Sequence, residues 1–224
     1  AGVDLTEFYK VYTEANDKTI HPELVRGSNK KITNGVYDQK VAVKCFNGTF
    51  VGKDYGDCQI WRGIPFAQPP VGDLRWKAPV PAAKWEGVYQ ANAFKAKPYQ
   101  QTQGPARPGQ PGVSEYCLYL NVLTPAKSKT DKLPVLVWIH GGGFSTGESW
   151  SQNGDNFAKA GIVYASITYR TNVFGFLSLP ALSEESAKEN GRAISGNYGL
   201  MDQLLALQWI HENIAAFGGD PEQV

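Results

Sequence analysis

The sequence predicts an α/β fold in which a mainly parallel central sheet is flanked by helices. Val135–Ile139 is a short apolar run that follows a proline and precedes glycines, which is typical of a strand buried on both faces. Ile162–Thr168 has the same apolar character. Between about Leu200 and Phe217, leucine and isoleucine recur at three- and four-residue spacing, which predicts a helix that Gly218 ends. Strands that alternate with helices indicate the α/β class.

The beginning of the chain divides into an extension and the start of a domain. Residues 1–35 are polar and mixed, and Leu5–Tyr12 has the spacing of a short amphipathic surface helix. We therefore predict an N-terminal extension over residues 1–35 and one domain over residues 36–224. Val41–Gly52 has the pattern of a hairpin with its turn at Asn47-Gly48.

The middle of the chain alternates between strand patterns and long loops. Strands are expected at Gln59–Ile64 and Cys117–Leu123, and a short helix is expected at Phe157–Gly161. Proline and glycine over residues 67–76 prevent regular structure. Residues 97–114 are rich in Pro, Gly and Gln and predict a long exposed loop, a kind of segment that is often functional.

Composition excludes several classes of function. The 22 Lys and Arg nearly balance the 21 Asp and Glu, and the net charge of +1 argues against nucleic acid or an anionic membrane as the main partner. No apolar stretch approaches the roughly 18 residues that a transmembrane helix needs. Cys45, Cys58 and Cys117 fit no zinc-binding spacing, and we expect them to be free, with no metal or cofactor.

A glycine-rich segment, His140-Gly141-Gly142-Gly143-Phe144, directly follows the predicted strand at Val135–Ile139. Consecutive glycines turn the backbone sharply and leave peptide N–H groups unshielded by side chains. Such N–H groups can stabilise the oxyanion of an acyl-transfer intermediate. A simple glycine-rich turn is the alternative. The preceding strand and the flanking His140 and Phe144 favour the oxyanion interpretation.

Four segments, in order, resemble the blocks of one family from about residue 40 to the end. Gly63–Gly72 is similar to the block F-x-G-I-P-Y-A-x-P-P-x-G, and Ser114–Val122 is similar to S-E-D-C-L-Y-L-N-V. His140–Phe144 matches H-G-G-G-F, and Asn197–Pro221 resembles the helix that precedes the family's nucleophile. The chain thus resembles the type-B carboxylesterases, the cholinesterase-like branch of the α/β-hydrolases.

The resemblance implies a serine carboxylic-ester hydrolase that works through an acyl-enzyme. It implies that the N–H groups of Gly142 and Gly143 form the oxyanion hole and that His140 supports their loop. Phe144 and Ser145 are expected to contact the substrate, a small-molecule ester. A cholinesterase-like adhesion or scaffold protein without catalysis is the alternative, although such proteins tend to lose the triple glycine or the serine.

The resemblance also implies structural features around the cysteine signature. An ion pair between Arg62 and Glu115 is expected to join the proline-rich loop to the signature strand. In secreted relatives the signature cysteine pairs with one upstream, near the position of Pro98 here, where this chain has no cysteine. Cys117 is therefore expected to lack that bond, which favours a bacterial-type enzyme.

The catalytic serine of these folds lies on a sharp strand-to-helix turn, followed in the chain by the acid and the histidine. That serine belongs to a Gly-x-Ser-x-Gly motif, which we expect to be absent here, and Ser145 and Ser195 have the pattern of turn residues. His21 lies in the extension, and His211 is expected on a helix surface. The resemblance therefore places the Ser/acid/His triad beyond Val224. We expect a second polypeptide to supply it and to complete the sheet, and we expect this chain alone to be inactive.

Overall fold

The structure is a computed structural model that describes residues 29–101 and 111–224. The predicted helix at Leu5–Tyr12 lies outside these residues, and so does the middle of the predicted loop at residues 97–114. Among the described residues no helix is long and apolar enough to cross a membrane.

The described residues form eight strands, four α-helices and three short 3-10 turns. The strands are β1 (Ala42–Cys45), β2 (Gly48–Val51), β3 (Lys53–Asp54), β4 (Gln59–Pro65), β5 (Val88–Gln90), β6 (Tyr119–Thr124), β7 (Val135–Ile139) and β8 (Val163–Ile167). The α-helices are α1 (Asp155–Lys159), α2 (Asn172–Phe176), α3 (Pro180–Asn190) and α4 (Tyr198–Asn213). The 3-10 turns are Gln39–Val41, Gly72–Leu74 and Ile214–Phe217.

A small three-stranded sheet has the order β1-β2-β5. Its antiparallel β1–β2 pair, with Ala42 opposite Val51, confirms the predicted hairpin. Because Cys45 pairs with Gly48, the turn consists of Phe46 and Asn47, one residue earlier than the sequence indicated. Strand β5 adds to β2 in parallel.

The larger sheet has the order β3-β4-β6-β8-β7 and is mixed rather than mainly parallel. Three of its four neighbouring pairs are antiparallel, and only β7 and β8 run in parallel. Parallel neighbours need a crossover connection, usually with a helix. Helix α1 lies in the connection between β7 and β8. The expected parallel character is therefore confined to this pair within the described sheet.

Strand β7 is the last strand of the described sheet and is less buried than predicted. Only Val135 is buried, and Ile139 is exposed. The end of the chain begins to pair with the free edge, since the Val135 N–H donates to the Gln223 carbonyl at 2.9 Å. Alternate residues of a strand direct their backbone groups to the same edge, so the N–H groups of Val137 and Ile139 face it too.

Helix α4 covers one face of the sheet. Trp61 on β4 meets Phe217 edge to face, with ring centroids 4.9 Å apart, and the Trp209 ring lies 6.3 Å from the same phenylalanine. Leu120 and Ile167, on the two strands in the middle of the sheet, are fully buried on this side. The main hydrophobic core therefore lies between β4, β6, β8 and α4.

Helix α4 forms where the sequence predicted it, and Ile210 and Ile214 of the predicted apolar face are buried, but the beginning of that face is exposed. Leu200 and Leu204 were expected in the core, and they are 43% and 68% exposed. The buried positions include Tyr198, Asp202, Ala206, Trp209 and Asn213. The polar members of this set have partners; Asn213, for example, accepts a hydrogen bond from the Phe46 N–H at 2.8 Å. The buried face of α4 therefore contains polar side chains whose hydrogen bonds are made within the protein.

All three cysteines are free: Cys45 and Cys117 are buried, and Cys58 is half-buried. Burial raises the pKa of Cys45 to about 12, and desolvation likewise raises that of Cys117. Both buried cysteines are therefore neutral thiols at physiological pH and act as small apolar residues.

One buried amine has no partner within the described residues. Lys95 is only 7% exposed, and its Nζ makes no hydrogen bond. Its aliphatic chain lies against Gly63, where an added Cβ would be 2.3 Å from Lys95 Cε. Burial lowers the pKa of the Lys95 ammonium from 10.5 to about 7.

We predict that Lys95→Met stabilises the fold at and below pH 7 by about 1–3 kcal/mol, the usual cost of a buried unsatisfied polar group. Between about pH 7 and 10.5 the unfolded chain binds more protons at Lys95 than the folded chain, so the free energy of unfolding rises with pH there. The gain should therefore shrink toward pH 10. Urea denaturation at pH 6, 8 and 10 measures it.

The exposed Lys129 provides the matched control, since Lys129→Met removes an equal charge at the surface. That variant should change stability little at any of the three pH values. A Lys95→Met protein that is destabilised equally at every pH would contradict the prediction.

Candidate functional site

The glycine loop begins where β7 ends and turns by means of left-handed backbone. The φ angles of Gly142, Gly143 and Phe144 are +115°, +59° and +59°. A Cβ at Gly142 would lie 2.1 Å from the Thr146 carbonyl oxygen, so only glycine fits there. The Gly142 carbonyl accepts hydrogen bonds from the N–H groups of Ser145 and Thr146, at 3.0 and 3.2 Å.

The peptide N–H groups of Gly142 and Gly143 are free within the described part of the chain. Neither N–H donates to a described acceptor, and both glycines are exposed. The turn therefore uses its carbonyl groups internally and leaves two neighbouring N–H donors without an acceptor among the described residues. An arrangement of this kind can bind an anionic oxygen.

His140, the first residue after β7, is buried. Its ring stacks on Tyr169, with centroids 4.2 Å apart and planes at 9°, and the Tyr169 hydroxyl donates to the His140 carbonyl at 2.8 Å. Its Nδ1 lies 3.0 Å from the Gly141 carbonyl oxygen. A Cβ at Gly147 would be 2.0 Å from this Nδ1, so the ring also requires a glycine there. Desolvation lowers the pKa of His140, which favours the neutral ring.

The backbone of Phe144 and Ser145 is hydrogen-bonded to Asn172, the first residue of α2. The Asn172 N–H donates to the Phe144 carbonyl at 2.7 Å, and Asn172 Nδ2 donates to the Ser145 carbonyl at 2.6 Å. The Phe144 ring is about half exposed and lies 4.7 Å from the Phe176 ring. Both side chains therefore border the exposed surface beside the free N–H groups.

The segment Gly143–Gly147 has the letters of a Gly-x-Ser-x-Gly motif, which was expected to be absent. It is not a nucleophile elbow, because Ser145 lies in a turn with no helix directly after it, and its Oγ donates to the Gly143 carbonyl at 3.3 Å. In the described residues, the recorded hydrogen bonds of His140 and His211 are made with backbone carbonyls and not with a serine. His21 lies outside them. The described chain therefore contains no serine–histidine pair.

The beginning of the predicted loop at residues 97–114 lies next to the glycine loop. Gln100 makes two hydrogen bonds to Gly147, in which its Nε2 donates to the carbonyl at 2.7 Å and its Oε1 accepts from the N–H at 2.9 Å. The Tyr99 carbonyl accepts from Asn172 Nδ2 at 3.0 Å. This loop therefore starts next to the candidate site.

The predicted ion pair between Arg62 and Glu115 is wrong. Glu115 pairs with Arg75 instead, and the Arg75 Nε and Nη2 atoms each lie 2.7 Å from a carboxylate oxygen of Glu115. Both residues are buried. The 3-10 turn at Gly72–Leu74 returns the chain so that Arg75 reaches the signature strand, whereas the Arg62 guanidinium lies 4.6 Å over the Phe94 ring.

A second buried ion pair joins the chain after β8 to helix α4. Arg170 Nε and Nη2 lie 2.8 and 2.7 Å from the two carboxylate oxygens of Asp202, and the Arg170 N–H also donates to this carboxylate at 3.0 Å. Sequence reasoning missed this pair. The sequence shows only that Arg170 follows one apolar segment and that Asp202 lies in another. This pattern does not reveal that the two residues pair with each other.

The mixed sheet, the glycine loop after β7 and helix α4 define the N-terminal part of an α/β-hydrolase. The sequence profile described as "Carboxylesterase family" matches residues 38–224. The chain belongs to this family.

Characterised relatives and solved structures agree with this assignment. The fumonisin B1 esterase of Sphingopyxis macrogoltabida is 41% identical over 84% of this chain and 34% of its own length. The para-nitrobenzyl esterase of Bacillus subtilis is 42% identical over 73% of this chain and 33% of its own. A carboxylesterase structure from Geobacillus stearothermophilus gives a TM-score of 0.69 at 40% identity, over 81% of this chain and 36% of that one. The chain thus spans about a third of the length of these relatives.

We predict that Arg75→Met lowers the free energy of unfolding by about 3–5 kcal/mol, because it removes both charge-assisted hydrogen bonds that the Arg75 guanidinium makes to the buried Glu115 carboxylate. Arg62→Met is the matched control and should cost less than about 1 kcal/mol, since Arg62 pairs with no carboxylate among the described residues. Chemical denaturation of both variants measures the difference. Equal losses in the two variants would contradict the assignment of the pair to Arg75.

Proposed function

We propose that this chain is part of a serine carboxylic-ester hydrolase and carries its oxyanion-hole loop. The observation that supports this most strongly is the pair of unpaired N–H groups at Gly142 and Gly143, held by backbone angles that only glycine adopts easily. The family membership and the esterase relatives support the same reaction class.

In the proposed reaction a serine attacks the ester carbonyl, and negative charge develops on the carbonyl oxygen. The N–H groups of Gly142 and Gly143 donate to this oxygen, and the N–H of the residue after the serine adds a third donor. Loss of the alcohol gives an acyl-enzyme. Water then releases the acid through a second oxyanion at the same donors.

His140 supports the loop in this proposal and is not the general base. Its ring is buried and stacked, its Nδ1 faces the Gly141 carbonyl, and its lowered pKa keeps it neutral. Phe144 supplies an apolar wall for the small-molecule ester, and Ser145 lies at the edge of the site.

We further propose that a second polypeptide supplies the Ser/acid/His triad and the rest of the hydrolase domain, and that this chain alone is inactive. Two observations support this: the chain spans a third of its relatives, and β7 has an open edge in the described sheet. Residues 218–223 already pair with the beginning of that edge, at Leu133 and Val135.

A non-catalytic adhesion or scaffold protein is the second candidate. Such a protein has no need for left-handed glycines or for free N–H groups. Both features are present at Gly142 and Gly143, which favours the hydrolase.

We predict that Gly142→Ala reduces ester turnover by about 10²–10³-fold, the usual cost of an oxyanion-hole donor, because a Cβ there collides with Thr146 and displaces the N–H groups. Gly141→Ala is the matched control, since a Cβ at Gly141 meets nothing within 4 Å. Turnover of 4-nitrophenyl acetate by the whole protein measures both variants. Full activity in Gly142→Ala would refute the oxyanion assignment.

The two-polypeptide proposal is tested by mass spectrometry of the purified protein under native and then denaturing conditions. We expect a complex that separates into this 24.5 kDa chain and a larger partner. A fluorophosphonate probe should label a serine of the partner. Labelling of one longer polypeptide that contains this sequence would refute the split but support the hydrolase. A protein that resists the probe and hydrolyses no ester would refute the hydrolase.

A further inference from the structure

A cavity of about 300 Å³ lies on the face of the larger sheet opposite α4. Strand alternation explains its position, because Trp61 and Val122 belong to the main core while their neighbours Arg62 and Asn121 face the other side. The segment after the glycine loop covers part of this face. The side chains that matter for the cavity are Arg62, Phe94, Asn121, Ser149, Trp150 and Ser166.

Three buried polar side chains form the floor of the cavity. Asn121, Ser149 and Ser166 are 7%, 4% and 2% exposed. The Asn121 amide donates one hydrogen to Ser149 Oγ at 2.9 Å and the other to Ser166 Oγ at 3.1 Å. The Asn121 carbonyl oxygen accepts from the Gly63 N–H at 2.9 Å. Both N–H hydrogens of the Asn121 amide are therefore engaged in hydrogen bonds.

This arrangement makes hydrogen-bond donors of both serines. Each hydroxyl oxygen already accepts from Asn121, and neither O–H of Ser149 or Ser166 donates to an acceptor in the described residues. A hydroxyl has one hydrogen to donate, and a buried donor without an acceptor costs free energy. The cavity therefore offers two unused O–H donors at its base.

A guanidinium group and two aromatic rings form the wall. Arg62 makes no ion pair with any described carboxylate, and its guanidinium lies 4.6 Å over the Phe94 ring. The Phe94 and Trp150 rings have centroids 5.4 Å apart. At the rim, Asp155 adds one exposed negative charge.

We propose that this cavity binds a small organic carboxylate. The two oxygens of the ligand accept hydrogen bonds from Ser149 and Ser166, Arg62 neutralises its charge, and its apolar body packs against Phe94 and Trp150. A phosphate dianion fits the site less well, because the cavity has one guanidinium and Asp155 repels a second negative charge. The site is independent of the proposed ester hydrolysis, since it uses no residue of the oxyanion loop.

Isothermal titration of the whole purified protein with benzoate tests the proposal, with benzamide as the neutral ligand of equal shape. Benzoate should bind saturably and at least tenfold more tightly than benzamide. Arg62→Met and Ser149→Ala should each weaken benzoate binding by about tenfold or more. Arg192→Met is the control variant, since Arg192 is exposed and distant in sequence from the lining residues, and it should bind benzoate normally.

Gly142→Ala separates this cavity from the oxyanion loop and should retain benzoate binding. Absence of saturable benzoate binding, or equal affinities for benzoate and benzamide, would overturn the proposal. Unchanged binding in a folded Arg62→Met protein, or loss of binding in Gly142→Ala alone, would place benzoate elsewhere and also overturn it.

Discussion

The buried ion pair between Arg170 and Asp202 is the contact on which the geometry of the candidate site depends. Both side chains are almost completely buried, at 2% and 0% exposure, and three hydrogen bonds join them. Loss of one partner from such a pair leaves an uncompensated charge and costs about 3–5 kcal/mol. The pair therefore fixes helix α4 to the end of β8.

The backbone around Arg170 transmits this constraint to the glycine loop. An added Cβ at Gly175 or at Gly199 would lie 2.3 or 2.4 Å from the Arg170 carbonyl oxygen, so α2 and α4 both approach this residue closely. Tyr169, the preceding residue, stacks on His140 and donates to its carbonyl. Helix α4 is thus connected through two adjacent residues, Tyr169 and Arg170, to His140 at the start of the glycine loop.

Features that depend on local pattern could be predicted from the sequence. Six of the eight described strands, the hairpin, the extent of α4 and the position of the glycine loop follow from apolar runs, spacing and glycine conformation, whereas β3 and β5 were not predicted. Features that depend on distant partners could not be predicted. Arg62 and Arg75 both flank the proline-rich loop, and only the path of the chain selects Arg75 as the partner of Glu115. Leu204 fits an apolar stripe, but the buried face of α4 is decided by Asp202 and its arginine.

The cavity opposite α4 could not be predicted from the sequence either. Its floor is formed by one residue from each of two strands and one from a loop. Asn121 and Ser166 become neighbours only through the register of β6 and β8. Ser149 joins them from the segment that begins with the glycine loop. Between the two sites Gly147 makes two hydrogen bonds with Gln100 and lies directly against His140. Gly147 lies between Gly142 and Ser149 in the chain, and its hydrogen bonds to Gln100 hold it in place. We therefore expect a ligand at Ser149 to leave the position of Gly142 unchanged.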